Sequence, residues 1–95
     1  MSIFDIDSII TEDYLINLGF ERCPESHHQL YHIRGYKTRN GVTIRYYMSH
    51  PHKSNMCQIC RCYQINARNS RKKVLFETRC IDRIELMSVI KDYLK

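Results

Sequence analysis

The sequence predicts an α+β fold: a short helix, a four-stranded antiparallel meander, and a C-terminal helix packed on one face of the sheet. Three observations predict it. Both ends of the chain carry helix-capping signals, and the long middle alternates apolar and polar positions with a period of two. Between two such runs, Asn40-Gly41 marks a hairpin, because both residues tolerate positive φ. Short connections between the strands favour an antiparallel sheet covered on one side. Ninety-five residues, 43% apolar and 26% charged, leave room for one modest core, so residues 1–95 are expected to form a single domain.

The elements follow in order. Residues 2–10 are open between an extra helical turn and a loose arm. Thr11, followed by Glu12 and Asp13, reads as an N-cap with acids in the first turn, and Gly19 fits the C′ position that ends the helix. Tyr14, Leu15 and Leu18 share its apolar side, with Phe20 folding back against it. Cys23 to His28 reads as a loop. The four strands are expected at Leu30–Lys37, Val42–Met48, Met56–Asn66 and Lys73–Arg79, with Thr38 and Arg39 lengthening the first turn and Ala67–Lys72 forming a polar basic turn. Asp82 and Glu85 form an Asp variant of the capping box, with Ile81 and Leu86 at the staple positions. Leu86, Val89, Ile90 and Tyr93 keep helical spacing for a stripe that packs on the sheet.

Charge is segregated along the chain. Residues 1–25 carry six acids against Arg22, whereas residues 26–80 carry eleven Lys or Arg against Glu77 alone, with all five His and five of the seven Tyr. Alternation sorts part of this charge onto one side of the sheet. If Cys60 and Cys62 face the core, the open face collects Arg34, Arg45, Arg61 and Arg79 with Tyr36, Tyr47 and Tyr63, and the basic turn adds Arg68, Arg71, Lys72 and Lys73.

Such a face suits nucleic acid, since guanidinium groups neutralise phosphates and Tyr rings offer stacking planes. No RNA-recognition, KH or zinc-finger signature accompanies it. The competing expectation is a protein partner with an acidic surface, because Tyr and Arg are also the residues of interface hot spots. In its brevity and lack of motif the chain resembles accessory proteins of phages or mobile elements, including inhibitors of host defence. A homodimer through an exposed edge strand is a further option.

Catalytic and metal chemistry find little footing. Cys57, Cys60 and Cys62, with His50 and His52 just before them, have the density of a zinc site, but a regular strand sends Cys57 to the side opposite Cys60 and Cys62. Buried thiols are the expected role, with no cofactor and no metal. His50-Pro51-His52 resembles the paired His of single-strand endonucleases that use a Tyr nucleophile. However, Pro replaces the bulky apolar residue between the His, and Tyr93 belongs to the stripe of the last helix. The three Gly are scattered, so there is no phosphate-cradling loop, and no Cys and His pairing can be read from order alone. The expectation is a non-enzymatic binding protein. Asp5 and Asp7 stand where a secretory signal would need basic residues, and no apolar run approaches the roughly 18 to 20 residues of a membrane span. The chain is therefore expected to be cytoplasmic, with reduced thiols and no membrane partner.

Overall fold

A computed structural model of the chain describes residues 8–23, 29–49, 51–64 and 70–95, and for 62–64 and 70–72 it describes the backbone only. Helix α1 spans Glu12–Leu18. The Thr11 hydroxyl accepts from the Tyr14 N–H at 3.2 Å, and Gly19 closes the helix in the left-handed region at φ 110°. The Phe20 N–H then returns to the Leu15 carbonyl at 2.9 Å, burying both side chains as the sequence predicts.

Five strands follow: β1 (Glu21–Arg22), β2 (Gln29–Ile33), β3 (Thr43–Ser49), β4 (Met56–Gln64) and β5 (Ser70–Arg79). They form one antiparallel sheet in sequential order, a meander of five strands where four were expected. The additional strand, β1, pairs Glu21 with His32 and Arg22 with Tyr31. Two residues are too few to display a period of two, which is why alternation does not reveal it.

The first turn departs from expectation in extent. β2 stops at Ile33, and Gly35–Lys37 and Arg39–Gly41 each form a 3-10 turn before β3 begins. Asn40 and Gly41 do take positive φ, 62° and 67°, as their types predict. They are not a two-residue hairpin loop, because Gly35 lies against Gly41 so closely that a Cβ there would sit 2.6 Å from the Gly41 carbonyl oxygen. The buried Thr38 hydroxyl knits the two turns together by donating to the carbonyls of Gly35 and Val42. At the other end β5 begins at Ser70, so the expected basic turn shortens, and Ala67–Asn69, with Arg68, fall outside the described residues.

The register settles which side of each strand is inward. Tyr31 stands opposite Tyr46 and Ile33 opposite Ile44; these in turn face Cys57 and Ile59 of β4. With Leu15, Phe20, Cys80, Leu86 and Ile90 they make the core, so both helices lie on this one face. Helix α2 (Arg83–Ile90) starts at Asp82, whose Oδ1 accepts from the Glu85 N–H at 2.8 Å, while Glu85 Oε2 reaches back to the Ile81 N–H at 3.4 Å. The capping box forms, but Ile81 remains 70% exposed rather than closing over Leu86. Among the described residues no helix is long and apolar enough to cross a membrane.

Candidate nucleic-acid interface

Among the described residues no helix covers the second face of the sheet. Cross-strand pairing places on it Leu30 and His32 of β2, Thr43, Arg45 and Tyr47 of β3, Met56, Gln58 and Cys60 of β4, and Glu77 and Arg79 of β5. Arg45, Tyr47 and Arg79 therefore share a face as expected. Arg61 does not. The expected grouping required Cys60 to point toward the helices, but Cys57 and Ile59 occupy that side, so alternation sends Cys60 to the second face and Arg61 to the helix side. Cys60 is nevertheless fully buried, because Tyr47 and Gln58 build a second, smaller packed layer with it.

This layer removes Tyr47 as a stacking platform. Its ring is only 6% exposed, with the Arg45 and Lys53 cations each 5.5 Å from its centroid. Burial comes first among the causes that hold its hydroxyl pKa above the ordinary value. Arg45 and Lys53 thus cover an aromatic ring instead of standing free. Arg79 turns toward the chain between β3 and β4, 3.5 Å from the carbonyl oxygens of both Ser54 and His52.

Arg34 and Tyr36 are on no strand. Arg34 precedes the first 3-10 turn, and Tyr36 within it is 67% exposed. The acidic N-terminal stretch reaches this corner through β1: Glu21 accepts from Lys37 at 2.7 Å and lies 3.7 Å from Arg34. The Lys37 hydrogen bond, then its charge, holds the Glu21 carboxyl below its ordinary pKa. Glu77, the lone acid of the basic stretch, accepts from the buried Gln58 side chain at 2.9 Å.

Among the residues whose side chains are described, no ion pair forms at the far end of β4 and β5. The pairing of β3 with β4 stops at Thr43 and Cys60, and beyond that point, among the described residues, β4 and β5 pair only with each other. In this two-stranded ribbon Arg61 stands opposite Lys73, Cys62 opposite Lys72, and Tyr63 opposite Arg71, so each of three consecutive rungs carries at least one cation. Residues 61–73 contain five Lys or Arg and no acid. Arg61 and Lys73 are both exposed; the side chains of Tyr63, Arg71 and Lys72 lie outside the described residues.

Of the residues with the density of a zinc site, those described do not converge. Cys57 faces the helices and Cys60 the second face, His52 is exposed in the turn, and His50 and the Cys62 side chain lie outside the described residues. Among the described residues no three His, Cys, Asp or Glu cluster as a metal site would need. Cys57 instead packs in the core with Cys80; its interaction with that thiol, and after it burial, push its thiol pKa up. One pairing has no sequence signal: Cys23 Sγ lies 2.7 Å from His32 Nδ1, brought together by the two-residue strand that alternation misses.

No protein-family model matches the chain, and comparison with curated proteins and with solved structures likewise finds no match.

Proposed function

We propose that the protein binds nucleic acid, and that the β4–β5 ribbon, rather than the centre of the sheet, touches the phosphates. The observation that carries this reading is the register of Arg61 opposite Lys73 on an acid-free ribbon. Like charges directly across a strand pair repel, and a polyanion is the partner that turns that repulsion into binding. A two-stranded antiparallel ribbon also has dimensions that the major groove of a duplex admits. Stacking of bases on Tyr47 is not part of this proposal, since that ring is covered.

The test is a fluorescence-anisotropy titration of duplex and single-stranded oligonucleotides across a salt series. Wild-type affinity is expected to fall steeply with salt. The double charge reversal Arg61→Glu and Lys73→Glu should weaken binding and reduce the logarithmic salt slope by about two, roughly one for each phosphate that is no longer neutralised. Absence of binding at low salt, or a double variant that binds as wild type does, overturns the reading.

A second reading is favoured by a separate observation. β5 is an edge strand, and Val74, Leu75 and Phe76 on it are 38%, 46% and 51% exposed. An exposed apolar edge invites strand addition by a protein, and a second copy of this chain is the simplest such partner. Light scattering across a concentration series decides it: a dimer that Leu75→Lys converts to monomer supports the reading, and a monomer at all concentrations removes it. An acidic docking partner, as for an inhibitor of host defence, would instead engage the ribbon cations and be competed by oligonucleotide.

A further inference from the structure

The structure assigns Cys23 as a reactive thiol, with His32 as the base that takes its proton, and as a site of S-thiolation by small anionic disulfides. The assignment stands on geometry independent of the ribbon. Cys23 directly follows β1, and its backbone N–H donates to the Leu30 carbonyl at 2.9 Å, which turns its side chain onto the same face as His32. With the ring in its Nε2–H form, Nδ1 at 2.7 Å is an acceptor for the thiol proton. Both residues are half-buried, whereas Cys57, Cys60 and Cys80 are buried completely.

The surroundings suit both steps of the chemistry. Across from His32 stand Glu21 on β1 and Arg45 on β3, with Arg34 and Lys37 from the turn after β2. Glu21 is occupied by Lys37 and Arg34, so among the described residues the charge acting on His32, the partner of the sulfur, is mostly cationic. Cations beside a thiol favour its thiolate and draw in carboxylate-bearing reagents. Burial, and after it Arg34, lowers the pKa of His32, which leaves the ring unprotonated and able to accept at neutral pH. In the reaction the thiol proton passes to Nδ1, and the Cys23 sulfur attacks one sulfur of the disulfide. The old S–S bond breaks as the new one forms, and the departing thiolate recovers the proton from the imidazolium. The incoming disulfide is the oxidant, so no other co-reactant is needed.

Site-resolved alkylation with iodoacetamide between pH 5 and 9, read by peptide mass mapping, tests the pair. The Cys23 rate should titrate with a midpoint below the ordinary thiol value, and His32→Gln should move that midpoint upward and slow labelling near neutrality by about tenfold, the consequence of one pKa unit. Glutathione disulfide, which carries carboxylates, should thiolate Cys23 faster than the cationic disulfide cystamine does. A Cys23 midpoint at the ordinary thiol value overturns the assignment, as does a profile indifferent to His32→Gln; a faster reaction with cystamine overturns the preference for anions. The wild-type profile decides the first point even where the variant fails to fold.

Discussion

The Tyr46 hydroxyl donates to the Cys80 carbonyl across 2.9 Å, joining the middle strand of the sheet to the residue from which the chain turns into α2. Asn55 Oδ1 lies 3.2 Å from the same hydroxyl. Burial drives the phenol far above its ordinary pKa, so it stays a neutral donor throughout the pH range in which proteins fold. Tyr46→Phe should lower stability by about 1 to 3 kcal/mol, because it strands a buried carbonyl. Tyr31 is the control. Its buried hydroxyl makes no close hydrogen bond among the described residues and has the Glu12 carboxylate nearby, so Tyr31→Phe should cost less than Tyr46→Phe. Urea unfolding with unchanged m-values checks both, and equal losses at the two positions would contradict the assignment.

Gly35 answers to space rather than to φ. Its missing Cβ would meet the Gly41 carbonyl oxygen at 2.6 Å and the carbonyl carbon at 3.1 Å, both backbone atoms that cannot swing aside. Gly35→Ala should therefore cost about 1 to 3 kcal/mol, the range of overpacking, and should disturb the amide signals of Thr38 to Val42 before those of α2. An alanine variant with wild-type melting would mean that the two 3-10 turns yield easily.

Removing the α2 cap isolates a local contribution. Asp82→Ala deletes the acceptor of the Glu85 N–H and should lower stability by about 1 kcal/mol, whereas Asp82→Asn, which keeps an oxygen in place, should recover most of it. Thermal melts of the two variants distinguish loss of the cap from loss of charge.

His32 makes stability depend on pH in a defined direction. Its folded pKa lies below the ordinary 6.5, first because of burial and then because of Arg34. The unfolded chain therefore binds the proton more readily, so this contribution is complete above 6.5 and is lost as pH falls through 6.5 toward the lower folded value. Denaturation between pH 7.5 and 5 should show this slope, and His32→Gln should flatten it. A wild-type curve that rises on acidification across that window would have the wrong sign.

Much of the secondary structure was legible because its signals are local. Thr11, Gly19, Asp82 and Glu85 act on backbone groups within four residues of themselves, and Asn40 and Gly41 carry their conformational preference in their own side chains. β1 was not legible, since two residues show no period. The end of β2 was hidden because the close approach of Gly35 to Gly41 is made between residues six apart. The face of β4 stayed ambiguous for a related reason: Cys57 and Ile59 alternate with Gln58 and Cys60, and all four are buried, so hydrophobicity alone does not choose between the sides.

By itself the sequence determined that a nearly acid-free basic stretch would lie on antiparallel strands between two capped helices, since capping and alternation need only near neighbours. Only the tertiary structure decided which of those charges meet a partner. It carried Glu21 from the acidic stretch onto β1 beside Lys37 and Arg34, laid Arg45 and Lys53 over Tyr47, and ended β3 where Arg61 and Lys73 begin to face each other without a third strand. Charges neutralise through space, and their order along a chain does not tell which of them will meet.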